Sequence, residues 1–184
     1  MQPEATQDII QKSIEGDHNA FNSLINTYKR QVYYLCMKIL RVKEEAEEVA
    51  QDVFVKLFRD LHKFNGDAKL STWIFRITYN ECISKIRKNR KYLEQENVEN
   101  YNFSFIEKGY ENIENQEKTA LLETALDELD EESKAIVLMF YYHDKSVDEI
   151  GQITRLKREN VKIKLFRARK KLLHVLENKF KLKN

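Results

Sequence analysis

One proline and four glycines in 184 residues leave few places for tight turns. That scarcity argues against an all-β fold, whose many strands each end in turn chemistry. Two cysteines, Cys36 and Cys82, are too few for a disulfide framework. Each stands alone on an apolar helical face, where free cysteine packs as a small hydrophobe. The four histidines, His18, His62, His143 and His174, show no ligand spacing with cysteine or carboxylate, so no metal site is expected. No stretch approaches the roughly 20 apolar residues that span a bilayer. Residues 1–8 lack the apolar core of a signal sequence. Glycine-rich phosphate loops and nucleophile–base pairs are missing too. The expectation is a soluble, cytoplasmic protein that is not an enzyme, with no cofactor and no small-molecule substrate.

What the chain has is charge and helical periodicity. Charged residues make up 34% of it and hydrophobic ones 42%, proportions that suit small helical domains with thin cores. The net charge of +2 hides a blocky distribution. Residues 44–48 are acidic apart from Ala46, whereas residues 85–91 carry five cations. Such asymmetry suggests different partners at different patches. Phe21, Leu24, Ile25, Tyr28, Val32, Leu35, Cys36 and Ile39 recur at spacings of three and four, which predicts a long amphipathic helix over 17–40. Ala46, Val49, Ala50, Val53, Phe54, Leu57 and Leu61 predict a second over 43–61. Residues 64–70 read as a loop, and Ser71-Thr72 as the N-cap of a third helix carrying Trp73, Ile77, Cys82, Ile83 and Ile86.

These helices place one domain at residues 8–91. Residues 92–118 are rich in Asn and Glu and lack sustained periodicity, so they read as a flexible linker. Periodicity resumes with Leu121, Leu122, Ala125, Leu126 and Leu129, placing a second domain at 119–180. The fold class is therefore all-α, two small helical domains joined by a linker.

Within the second domain, Ser146 and Glu149 have capping-box spacing. Ile150 and Ile153 give the helix that follows one apolar face. After Thr154-Arg155 a new stripe begins: Leu156, Val161, Leu165, Ala168 and Leu172. Residues 155–171 hold nine cations and one acid, Glu159. If helical, they span roughly 25 Å. This is the layout of a helix-turn-helix with one packed side and one positive side suited to phosphate. Solvated faces, membrane-surface segments and partner-binding helices share the pattern.

The ordered series of motifs resembles an RNA polymerase sigma factor of the extracytoplasmic-function class, in the sigma-70 family. The resemblance rests on Gly16-Asp17 through Phe21, Glu45 through Phe54, Leu70 through Asn80, Ala125 through Leu129, Ser146 through Gly151, and Val161 through Leu172. It implies an initiation factor that binds core RNA polymerase, finds a two-part promoter in DNA and helps open the start region. An inhibitory anti-sigma partner, often membrane-bound, is implied as well. The polymerase surface would comprise Glu47, Glu48, Gln51 and Asp52, a carboxylate-rich face able to pair with cations. The −10 element would be met by Phe64, Asn65, Lys69, Ser71, Thr72, Trp73, Arg76, Asn80, Arg87 and Lys88. An unpaired base gains roughly 1–3 kcal/mol by stacking on aromatic surface, although Trp73 also suits a core anchor, and Phe64 and Tyr79 also suit packing. The −35 element would be met by Arg155, Lys157, Arg158, Glu159, Asn160, Lys162, Lys164 and Arg167, with Arg suited to guanine and Asn to adenine.

The chain departs from that pattern at Arg155, which stands where the family's turn has glycine, so a differently built turn is expected. Lys157 stands where a Ser cap is usual, and Ile163 and Phe166 replace polar residues. Two rival readings remain at this point. A polymerase-independent helix-turn-helix regulator would use the DNA-binding half alone, and a helical adaptor would use the basic helices as protein-docking faces.

Overall fold

The computed structural model describes residues 7–96 and 113–181, and every regular element among them is helical. The chain divides into two compact units. The first contains α1 (Gln7–Ile14), α2 (His18–Leu40), α3 (Lys43–Asp60), a 3-10 turn (Leu61–Lys63) and α4 (Leu70–Glu96). The second is built from α5 (Ile113–Asp127), α6 (Glu131–Tyr141), α7 (Val147–Thr154) and α8 (Arg158–Lys181).

In the first unit α2 is central and packs on α1, α3 and α4. Its N-cap Asp17 accepts hydrogen bonds from the amides of Asn19 at 2.8 Å and Ala20 at 3.2 Å. Its far end closes with Arg41 in the left-handed region, φ 65°, and the Arg41 amide donates to Met37 O. The predicted stripe is the core: Leu24, Tyr28, Val32, Leu35 and Cys36 meet Ala46, Val53 and Leu57 of α3 and Ile74, Phe75 and Cys82 of α4, all essentially without solvent contact. The two cysteines are free, with their sulfurs 3.7 Å apart.

The sequence misplaces the start of α4. The helix begins at Leu70, and the Trp73 amide donates to Lys69 O at 3.1 Å. Ser71 and Thr72 lie inside the first turn, buried at 4% and 2% exposure. The residues read as a linker are helical at both ends, since α4 runs to Glu96 and α5 starts at Ile113. The middle of that stretch, 97–112, lies outside the described residues.

In the second unit α5 and α6 pack on α8. Asp130 caps α6 by accepting from the Ser133 amide at 2.8 Å. Residues 133–139 of α6 are all buried, including Lys134, whose ammonium donates to Asp127 Oδ1 at 2.6 Å. The predicted capping box is formed: the Ser146 amide donates to Glu149 Oε2 at 2.8 Å and the Glu149 amide to Ser146 Oγ at 3.2 Å. Among the described residues, no helix is long and apolar enough to cross a membrane.

Candidate nucleic-acid and protein interfaces

Burial of Ala46, Val49, Val53 and Leu57 fixes which side of α3 turns outward. Glu47, Glu48, Gln51 and Asp52 are all exposed on it. Not all of that charge is available. Lys85 Nζ of α4 donates to Glu48 Oε2 at 2.6 Å, and this hydrogen bond holds the Glu48 carboxyl below its ordinary value. Asn89 Nδ2 donates to Glu45 Oε1 at 2.7 Å. The acids of α3 nearest α4 therefore have intramolecular partners. Two side chains missed by the sequence reading prolong the outer face: Val55 is 64% exposed and Phe58 52%. Phe58 rests edge-on against Phe21, ring centroids 5.0 Å apart. The signal was present, because 51, 55 and 58 continue the same helical spacing.

Phe64 and Trp73 bring the loop onto α4, with ring centroids 5.6 Å apart and planes tilted by 41°. Asn65 and Asp67 form a local turn in which the Asp67 amide donates to Asn65 Oδ1 at 3.3 Å, and Gly66 between them has φ 80°. On the loop's other side, a cavity of about 150 Å³ opens between Gln7, Tyr28, Phe64, Lys69 and Leu70. Both aromatic rings are half-buried, which leaves Trp73 neither a sealed core anchor nor a free platform. Arg76 and Asn80 are half-buried on α4, whereas Lys69, Arg87 and Lys88 are exposed. Ser71 and Thr72 face inward, so a base contact from either would require the first turn of α4 to open. Tyr79, 6% exposed, packs.

On α8 the inward stripe is Val161, Leu165 and Ala168. Arg155, Lys157, Glu159, Asn160, Lys162 and Arg167 are exposed, as expected for groups that reach a ligand. Two expected DNA contacts have other partners. Lys164 is turned toward α6, where its ammonium meets Glu132 at 2.6 Å. Arg158 pairs with Asp148 of α7 across the turn, at the exposed surface. The turn also differs from expectation. Arg155 takes the left-handed conformation itself, φ 62°, so the backbone path that glycine would favour is kept. Gly151 supplies the close approach instead: a Cβ there would lie 3.0 Å from Leu156 O.

Residues 24–92 match sigma-70 region 2, and residues 119–172 match sigma-70 region 4. The chain is 33% identical to a probable RNA polymerase sigma factor of Haemophilus influenzae, over 73% of this chain and 78% of that protein. It is 26% identical to the ECF RNA polymerase sigma factor SigW of Bacillus subtilis, over 86% of this chain and 89% of that one. Among solved structures, the fold is similar to the sigma factor RpoE in complex with the anti-sigma factor NepR from Bartonella quintana. That match has a TM-score of 0.73 at 20% identity, covering 85% of this chain and 96% of that one. CnrH, solved with the cytosolic domain of CnrY, gives a TM-score of 0.69 at 19% identity, covering 95% and 99%.

Proposed function

The chain belongs to the extracytoplasmic-function class of the sigma-70 family of RNA polymerase sigma factors, and on that premise we propose which of its surfaces perform initiation. It is an initiation factor that directs RNA polymerase to promoters. The outer face of α3, with Glu47, Gln51 and Asp52 at its centre and Val55 and Phe58 at its end, docks on core polymerase. Carboxylates there pair with cations, and the two apolar side chains supply area that charge alone does not. Glu48 contributes less, because Lys85 already occupies it.

Phe64 and Trp73 offer the stacking surface for a base drawn out of the −10 duplex, with Arg76, Arg87 and Lys88 along the strand's phosphates. The basic outer face of α8, with Lys162 and Arg167, lies in the major groove at the −35 element, and Arg155 and Lys157 in the turn before it add charge. The protein acts in the cytoplasm and performs no covalent chemistry. Its inhibitor is a protein of the anti-sigma kind, the class of partner named in the similar complexes.

One observation carries this reading. Two helices with fully buried apolar stripes present outer faces of opposite sign, acidic on α3 and basic on α8. A regulator independent of polymerase has no use for the first. The test is promoter-dependent transcription by core polymerase with and without the protein. Wild type should start transcripts at defined sites. The combined variant Glu47→Lys, Gln51→Lys, Asp52→Lys should lose core binding by at least about tenfold, the equivalent of about 1.4 kcal/mol. Undiminished transcription by that variant would remove the docking assignment.

A further inference from the structure

Two large apolar side chains in the N-terminal half of α8 stand exposed away from its buried stripe: Ile163 is 47% exposed and Phe166 65%. At about 100° per residue, Ile163 points about 180° from the mean direction of Val161 and Leu165. Those two anchor the helix inward at 0% and 3% exposure. Ile163 thus occupies the crest of the outer face. It lies in the second turn of the helix, within the segment that a helix-turn-helix inserts into the major groove. Exposed Lys162 and Arg167 flank it.

Those cations bring the helix to a phosphate-lined groove, yet neither can recognise an apolar feature. The edges of the base pairs in the major groove carry one such feature, the C5-methyl of thymine. We propose that Ile163 reads a thymine in the −35 element through that methyl group. The proposal rests on the assignment of α8 to duplex DNA. Charge complementarity from Lys162, Arg167 and Lys170 selects DNA as the occupant of this face over an apolar protein surface, which would have to bury all three cations. Hydrogen-bonding residues beside Ile163 supply register, and Ile163 supplies the distinction between thymine and cytosine.

Deoxyuridine differs from thymidine at that methyl alone, so it isolates the contact. Transcript starts first define a promoter. A set of duplexes then replaces each −35-region thymine, one at a time, with deoxyuridine. Open-complex formation is titrated with holoenzyme made from the full chain. Wild type should show one thymine whose replacement weakens binding about three- to tenfold, the range expected for one buried methyl. Ile163→Ala should bind the thymine and deoxyuridine duplexes equally well. The substitution is on an exposed position, and a thermal melt matching wild type verifies the fold.

Discrimination retained by Ile163→Ala overturns the proposal, as does insensitivity at every thymine. Loss of discrimination in Phe166→Ala but not in Ile163→Ala overturns the assignment to Ile163. A uniform loss on all duplexes would place the side chain against protein and also overturn it. Failure of the underlying reading is separate: replacing the whole −35 region would then leave wild-type initiation unchanged.

Discussion

At the scale of single residues, burial sets chemistry that the sequence leaves open. His143 is 6% exposed between α6 and α7, and burial pushes its imidazole down to about 4, with Lys145 adding to the depression and Asp144 opposing it. The folded ring is neutral at pH values where the unfolded one titrates normally. Stability is therefore complete above pH 6.5 and declines as pH falls toward 4, because only the unfolded chain takes up the proton. Between pH 7 and pH 5 this group should remove about 2 kcal/mol. Denaturant midpoints of wild type and His143→Gln measure it: the variant should lose less over that interval, and equal losses would discount the mechanism. The cysteines offer a second check. Contact with Cys36, followed by burial, holds the Cys82 thiol well above its usual value. An exposed-thiol reagent should leave both cysteines intact in the native protein and modify both after unfolding. The sequence suggested this packing role because each cysteine lies on an apolar stripe, but their adjacency is a product of α2 meeting α4.

At the scale of elements, the capping box before α7 was legible because its chemistry is local. The Ser146–Glu149 pair acts within three residues of itself, so sequence spacing alone located it, whereas Asp17, read as part of α2, is that helix's N-cap. Ser146→Ala should destabilise the second unit by about 1 kcal/mol, read as a lowered unfolding midpoint. The start of α4 was misread for the converse reason. Ser71-Thr72 has better cap chemistry than Lys69, but the hydroxyls are needed inside, where Ser71 and Thr72 are buried. The turn before α8 gives a sharper test. A left-handed non-glycine residue costs roughly 1–2 kcal/mol, part of which glycine's larger unfolded entropy returns. Arg155→Gly should therefore raise stability by up to about 1 kcal/mol. If Arg155 grips phosphate, the same variant should lower the salt slope of DNA binding by about 0.9. A stability gain without a change in slope would keep the turn argument and discard the phosphate contact.

At the scale of the whole molecule, the proposed function assigns separate tasks to two faces of opposite sign, one on each unit. The combined variant Glu47→Lys, Gln51→Lys, Asp52→Lys should weaken core binding by at least about tenfold yet leave the binding of −35 duplex by the full chain unchanged, as fluorescence anisotropy would record. Reversing Lys162 and Arg167 should do the opposite. A variant of either kind that lost both activities would show that the faces are not separate devices. Glu48→Lys should affect core binding less than Asp52→Lys, because Glu48 already has Lys85 as a partner. Charge counting treats these acids alike; the structure separates them.

The sequence by itself determined the long helices and their inward stripes, though not α1 or the ends of α4 and α5, together with the signs of the two outer faces and the ordered motifs of a sigma factor. The helices and faces arise from residues within a few positions of one another, where helical periodicity is a sufficient guide, and the family resemblance comes from the order of short motifs along the chain. Tertiary structure alone decided which charges remain available. Lys85 lies 37 residues from Glu48, and Asn89 lies 44 from Glu45. Lys164 meets Glu132 on another helix. No spacing rule reaches that far, because such pairs exist only after apolar burial has placed one helix beside another. The same burial turned Ser71 and Thr72 inward and left Ile163 at the crest of α8.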